Sequence, residues 1–321
     1  MKAGIVGLPN VGKSTFFNLL TQSDQARVGN FPFCTIDPNV AIVDVEEDRL
    51  TQLFHKTGSK KIIKSTFEFV DIAGLIPGAS EGAGLGNKFL SHIQEVDIIV
   101  HVVRCFDDDT ILHVLDEINP LFDLEIIMEE LVKSDLEKVA RISKKQKFPN
   151  IDDNKTTWED IIDNIKNKHY IDQRWLSTKP FIVVCNGDNQ NMIKMITDKY
   201  STNTIALNIN FLNEISIELS GQPEELKEYL QDLYKFIHLT YNTVGYISFF
   251  TTGPEETRAW RITKGSTAYN AAGKIHTDIQ KKLIFTEVTS FNDYLLDRPF
   301  TLQTKDYVIQ DSDIIYFRSG K

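Results

Sequence analysis

The stretch Gly7-Leu8-Pro9-Asn10-Val11-Gly12-Lys13-Ser14 constrains this chain more than any other, because it follows a short apolar run and opens a segment of helical periodicity. It matches G-x-x-x-x-G-K-[ST], a pattern whose glycines let successive backbone N–H groups turn toward a phosphate. The helix N-terminus beyond it adds a favourable dipole. Ala3-Gly4-Ile5-Val6 reads as a buried strand and Thr15-Phe16-Phe17-Asn18-Leu19-Leu20 as an amphipathic helix, the context this pattern requires. Lys13 is then placed to reach the β- and γ-phosphates and Ser14 to ligate Mg²⁺, with Asn10, Val11, Gly12 and Thr15 completing the phosphate-binding set.

Apolar, β-branched runs follow at Val40–Val45, Phe67–Ile72, Asp97–Arg104, Phe181–Cys185 and Thr204–Leu207. Separated by helical segments, they indicate an α/β fold with a mostly parallel sheet covered on both faces, whose ligands sit at the C-terminal strand ends. Between Asp123 and Ser177 charged residues alternate with apolar ones at helical spacing (Ile127, Leu131, Leu136, Val139, then Trp158, Ile161, Ile162, Ile165), with a break at 149–154. This is read as an inserted helical hairpin; two ordinary crossover helices fit the periodicity equally. From Gly245 onward short strands at 245–251, 258–262, 285–288 and 314–318 surround one helix at 267–276, an α+β module. The expected domains are 1–122 with 178–243 for nucleotide binding, 123–177 for the helical arm, and 244–321 for the C-terminal module.

With 321 residues, 41% of them hydrophobic, the chain has material for two domains and a buried core. Its net charge of −10 argues against wholesale coating of nucleic acid, and DNA is not an expected partner. A local patch stays open at Lys56, Lys60, Lys61 and Lys64 or at Lys144, Lys145 and Lys147, although such runs are commonly solvated faces. Cys34, Cys105 and Cys185 are too few and too far apart for a disulfide framework or a zinc site, which suits a reducing cytoplasm. No apolar run approaches the roughly 20 residues of a membrane span.

Asp71-Ile72-Ala73-Gly74 closes a strand as a D-x-x-G element, in which Asp71 holds Mg²⁺ and the Gly74 N–H senses a γ-phosphate. Thr35, in the loop from Asn30 to Pro38, is placed to complete the metal's coordination, and both segments read as switches. Leu75 stands where Ras-like GTPases carry the Gln that orients the attacking water, so positioning must come from elsewhere. The amide oxygen of Asn10 offers itself to a monovalent cation; a turn-stabilising role is the other reading. Asn186-Gly187-Asp188-Asn189 replaces the Asn-Lys-x-Asp of guanine readers, and an amide at Asn189 matches adenine's N1 acceptor and N6 donor. Cys34 beside Thr35 suggests a redox switch or simply a small packing residue.

These strings together, with Asn30-Phe31-Pro32-Phe33-Cys34-Thr35-Ile36, Gly84-Leu85-Gly86-Asn87-Lys88-Phe89-Leu90, His101-Val102-Val103-Arg104-Cys105-Phe106, Arg258-Ala259-Trp260 and Ala271-Ala272-Gly273-Lys274-Ile275-His276, resemble the YchF (Obg-like ATPase) family. The resemblance spans nearly the whole chain. It implies a P-loop domain of the translation-factor class that prefers ATP, a helical arm, and a ubiquitin-like β-grasp TGS domain. It further implies a ribosome-associated ATPase that relies on K⁺; with the Mg²⁺ residues above, the expectation is a cytoplasmic switch in translation or stress response, taken as a monomer although the sequence leaves dimerisation open. Within it a histidine matching His113 is a candidate for water positioning, here expected on an amphipathic helix. Three departures accompany it: Asn189 stands where the family ends its base motif in Glu, so adenine reading leans on main chain from Leu207 to Leu212; the arm is short; and Asp293 to Thr304 is abbreviated. A GTPase reading guanine through Asp188, or a ribosome- or RNA-binding adaptor with incidental turnover, are the competing readings.

Overall fold

The structure is a computed structural model that describes residues 2–22, 39–72, 85–115, 117–145 and 156–320. Along the chain run β1 (Lys2–Val6), α1 (Lys13–Gln22), β2 (Val40–Asp44), α2 (Asp48–Thr57), β3 (Lys61–Ile63), β4 (Thr66–Asp71), α3 (Leu85–Gln94) and β5 (Ile98–Arg104). Next come α4 (Pro120–Ser143), α5 (Trp158–Asn167), β6 (Phe181–Asn186), α6 (Gln190–Tyr200), β7 (Thr204–Leu207), α7 (Ile209–Glu218), α8 (Pro223–Tyr229) and α9 (Gln231–Thr243). The last group is β8 (Tyr246–Thr252), β9 (Glu256–Thr263), α10 (Ala268–Ile275), α11 (Thr277–Lys281), β10 (Leu283–Ser290), α12 (Phe291–Leu295), β11 (Thr301–Gln303) and β12 (Asp313–Ser319). The chain divides into two compact units, Met1–Val43 with Phe67–Thr240, and Asp44–Thr66 with Tyr241–Lys321.

In the first unit the strand order is β2-β4-β1-β5-β6-β7, and β1, β4, β5, β6 and β7 pair in parallel. All seven residues of β5 are buried, as its unbroken apolar run requires of a strand covered on both faces. Phe16 of α1 meets Phe236 of α9 edge-on and Phe69 of β4 meets it tilted, with ring centroids 5.1 and 5.4 Å apart. This aromatic cluster fixes the helix that follows the phosphate loop onto the sheet.

The segment between β5 and β6 combines both expected arrangements. α4 starts with Pro120 behind Asn119, whose Oδ1 accepts from Phe122 N at 3.1 Å. Its buried Leu124, Ile127, Met128 and Leu131 recur at helical spacing, and the helix touches β5 and α6 like a crossover helix. Further along, Val139 packs with Ile161 and Ile165 of α5 and with Trp175, as in a hairpin. Buried Asp135 ties the segment back, accepting from Leu176 N at 3.1 Å and from Ser177 N and Oγ at 2.8 and 2.7 Å.

The second unit holds a mixed sheet in the order β11-β10-β12-β8-β9-β3. β8 and β9 form an antiparallel hairpin, β12 joins β8 in parallel, and β10 runs antiparallel to β12 and β11. This is the β-grasp arrangement. Ala268 and Ala271 let α10 approach one sheet face over Ile247, Phe249, Ile262 and Ile315. On the other cluster Leu50 and Leu53 of α2 pack with Phe250, Ala259 and Ile314, while β3 adds a parallel edge strand to β9. Ser59 Oγ donates to Gly253 O at 2.6 Å and lies 2.7 Å from Thr257 Oγ1, sealing the join.

The structure therefore differs from the expected boundary that gave residues 1–122 entire to the nucleotide domain: Asp44–Thr66 belongs with the second unit. The physical reason is that side-chain periodicity fixes a segment's class but not its partner. Leu50 and Leu53 make an amphipathic helix whichever sheet receives them.

Candidate nucleotide site

β1 ends at Val6 and the chain turns at Gly7, where a Cβ would lie 2.4 Å from the carbonyl oxygen of Val102 on β5. Asn10 has φ 65° and Gly12 φ 98°, so the loop curls through the left-handed region that Gly tolerates at no steric cost and Asn at little. Asn10 is held there by its own side chain, Nδ2 donating to Leu112 O at 3.0 Å. A Cβ on Gly12 would lie 2.4 Å from Asn186 Nδ2, which is the close approach that keeps this position glycine. Phe16 N donates to Gly12 O at 2.9 Å, and α1 begins.

Three of the expected phosphate and metal residues converge here. Lys13 is buried, with Nζ donating to Leu8 O at 2.7 Å; burial lowers its pKa against the opposing pull of Asp71. Asp71, at the end of β4, has its pKa raised by burial, moderated by Lys13 and by a hydrogen bond from Ser14. A hydroxyl and one carboxylate in mutual contact beside a lysine suit Mg²⁺, which takes one or two protein oxygens and fills its octahedron with phosphates and water. Among the described residues no group of three or more His, Cys, Asp or Glu side chains gathers into an all-protein cation cage. Thr35, Gly74, Leu75 and Cys34 lie outside the described residues.

Beneath the loop is a residue the sequence reading quoted only inside a longer string. His101 of β5 is fully buried, and neither ring nitrogen has a hydrogen-bond partner among the described residues. Burial first, then nearby Lys13, pushes its pKa down to about 3, so the ring is neutral.

The loop after β5 is shaped by Arg104, 1% exposed. Its guanidinium donates to the carbonyls of Phe106, Asp108 and Ile111 at 3.2, 2.8 and 2.8 Å and lies 4.6 Å from the Phe106 ring centroid. A buried cation held by three main-chain acceptors makes this loop a defined surface. His113 sits in it rather than on a helix, correcting the expectation. Its Nε2 lies 2.8 Å from Asp123 Oδ2 and its Nδ1 3.0 Å from Leu115 O, with the side chain 5% exposed. Nε2 thus joins the loop to α4, while Nδ1 is spent within the loop itself.

At the base end the side chains are committed to the protein itself. Asn186 donates from Nδ2 to Val11 O at 2.9 Å and accepts from Ile209 N at 3.1 Å, bracing the phosphate loop against α7. Gly187 has φ 132°, and a Cβ would lie 2.2 Å from Cys105 O, so the lysine of guanine readers has no room. Asn189 caps α6, its Oδ1 accepting from Asn191 N at 3.1 Å and Met192 N at 3.2 Å, while Nδ2 donates to Asp107 Oδ2 at 2.8 Å. Leu207 is buried, and its carbonyl accepts from Gly187 N at 3.0 Å. Asp188 is exposed.

Of the two basic runs, the first is neutralised within the second unit. Lys56 pairs with Asp297 at 2.7 Å, Lys60 with Glu255 at 2.7 Å, Lys61 with Glu256 at 3.1 Å, and Lys64 with Glu46. No helix of the described residues is long and apolar enough to cross a membrane.

A glycine-built phosphate loop on a parallel sheet, with Lys13, Ser14 and Asp71 in one cluster, defines a P-loop nucleotide-binding domain, and residues 2–187 match the family described as 50S ribosome-binding GTPase. Residues 246–320 match the YchF-type GTPase C-terminal region, described as a protein of unknown function. The chain is 38% identical to the ribosome-binding ATPase YchF of Bacillus subtilis, covering 99% of each chain. It is 39% identical to Obg-like ATPase 1 of Homo sapiens, covering 99% of this chain and 92% of the relative. The Schizosaccharomyces pombe YchF GTPase structure superposes with a TM-score of 0.81 at 30% identity, over 99% of this chain and 97% of that one. The chain belongs to the YchF (Obg-like ATPase) family. The alignment to the Bacillus relative runs over 363 positions against 321 residues here, so that relative carries stretches this chain lacks.

Proposed function

We propose that this protein is a cytoplasmic, ribosome-associated ATPase that hydrolyses ATP to ADP and phosphate and uses the nucleotide state as a switch. The observation that carries the reading is the Lys13, Ser14 and Asp71 cluster at the mouth of a main-chain phosphate cradle, in a chain similar over its full length to proteins named ribosome-binding ATPase. In hydrolysis a water oxygen attacks the γ-phosphorus, the bond to the bridging oxygen breaks, and ADP leaves. Charge gathers on the phosphate oxygens as this happens. Lys13 and the loop amides stabilise that charge, and Lys13 is already oriented by burial and by Leu8 O.

Ser14 and Asp71, with Thr35, would hold Mg²⁺, which would supply charge neutralisation for the triphosphate. Gly74 reports the γ-phosphate. Leu75 supplies no hydrogen bond to the water, and His113, occupied by Asp123, acts as a positioning residue for the loop that holds Asn10. Asn10 spends its amino end on Leu112 O, an orientation that supports the amide oxygen as a K⁺ ligand. Asn186 acts by bracing the loop, and Asn189 and Leu207 by shaping the base rim.

Co-sedimentation of the purified protein with ribosomes, with ATP or ADP and in potassium or sodium buffer, tests the reading. The expected outcome is nucleotide-dependent pelleting together with faster turnover in potassium. Pelleting that is the same with ATP, with ADP and for Lys13→Ala contradicts the switch.

A further inference from the structure

The fourth position of the base motif in this chain lacks a carboxylate, yet one stands beside it. Asn189 Nδ2 donates to Asp107 Oδ2 at 2.8 Å across 82 residues of sequence. Three strand ends are laced into one rim here, Asn189 N donating to Cys105 O at 3.0 Å and Gly187 N to Leu207 O at 3.0 Å. Asp107 is exposed, but its backbone is not loose: Arg104 binds the carbonyls of Phe106 and Asp108 on either side. The amide of Asn189 has its orientation set by the cap it makes, since Oδ1 accepts from Asn191 N and Met192 N. The pair thus keeps a second Nδ2 hydrogen as a donor on Asn189 and Oδ1 as an acceptor on Asp107, on the two partners of one hydrogen bond.

We propose that Asp107 and Asn189 form a composite reader of adenine, Asp107 Oδ1 accepting from the N6 amino group and Asn189 Nδ2 donating to N1. Adenine presents a donor then an acceptor along this edge, and guanine an acceptor at O6 then a donor at N1. A donor and acceptor held in one order match the first and oppose the second. One carboxylate chelating both N1–H and the amino group of guanine is disfavoured, because Asp107 Oδ2 already accepts from Asn189 Nδ2. Asp107 thus returns the carboxylate missing from the motif, from a different loop and for a different base. The assignment rests on the ATP-hydrolysing reading above.

The test is calorimetric titration of the full chain, wild type, Asp107→Asn and Asp107→Ala, with Mg·ATP, Mg·GTP and inorganic tripolyphosphate. Both variants are expected to lose about tenfold in ATP affinity, the scale of one hydrogen bond to a charged group, with tripolyphosphate unchanged. Asp107→Asn is expected to lose at least as much as Asp107→Ala, since it puts a donor opposite the amino group. A wild type that favours ATP with variants that keep its ATP-to-GTP ratio overturns this assignment alone. Equal losses for ATP and tripolyphosphate do the same, because the effect is then not on the base. A wild type that favours GTP overturns the adenine reading itself.

Discussion

The phosphate end and the base end of this site are built on opposite plans. At the phosphate end the backbone binds, and glycines exist to let it curl: Gly7 lies against Val102 O, Gly12 against Asn186. Side chains there point at one spot, Lys13 on Leu8 O with Asp71 and Ser14 beside it. At the base end the side chains are spent on the protein itself, mostly on main-chain groups. Asn186 is consumed by Val11 and Ile209, and Asn189 by α6 and Asp107. The difference shows why a nucleotide site keeps one half of its signature and rewrites the other: triphosphate chemistry fixes a backbone path, whereas a base edge is matched by any donor and acceptor in the correct order.

Breaking the phosphate end gives the largest effect. Lys13→Ala is expected to lower ATP turnover by about 10²–10³-fold, the scale of removing one preorganised charge-stabilising donor, in a steady-state phosphate-release assay. Turnover within threefold of wild type contradicts the role of Lys13.

Restoring the guanine-reader lysine at the base end comes next. Gly187→Lys forces a side chain onto a φ of 132° against Cys105 O, with an expected stability loss of about 1–3 kcal/mol on chemical denaturation. An unchanged denaturation midpoint shows that the β5 loop yields and that the glycine is not sterically required.

The smallest effect sharpens how the two ends share their floor. His101 lies under the loop with its pKa pushed down from 6.5 to about 3. The unfolded chain protonates this ring below about 6.5 and the folded chain only near 3, so stability is lost as pH falls through that interval. The slope reaches about 1.4 kcal/mol per pH unit for one proton. His101→Leu is expected to flatten the thermal midpoint between pH 6.5 and 5 relative to wild type. Parallel profiles refute the burial of a neutral imidazole there.

What the sequence made legible follows the same division. The loop from Gly7 to Ser14 was readable because its residues satisfy local backbone demands, and β5 because a doubly covered strand must be apolar throughout. The Asn189 pairing with Asp107 and the double tie of Asn186 were not, since they join residues 82, 175 and 23 positions apart. The same limit hid the second-unit membership of Asp44–Thr66, where β3 meets β9 across nearly two hundred residues. His113 was misplaced onto a helix because His113, Val114 and Leu115 carry no period strong enough to separate an Arg104-wrapped loop from a helical turn.

The central claim is that an adenine-reading base end has been joined to a general phosphate end. Steady-state kcat/KM of the wild-type chain for ATP and GTP, measured side by side in Mg²⁺ and potassium buffer, tests it most directly. The account predicts a higher kcat/KM for ATP by tenfold or more, a difference arising chiefly in KM because the phosphate end treats both nucleotides alike. Equal values, or a higher value for GTP, contradict it.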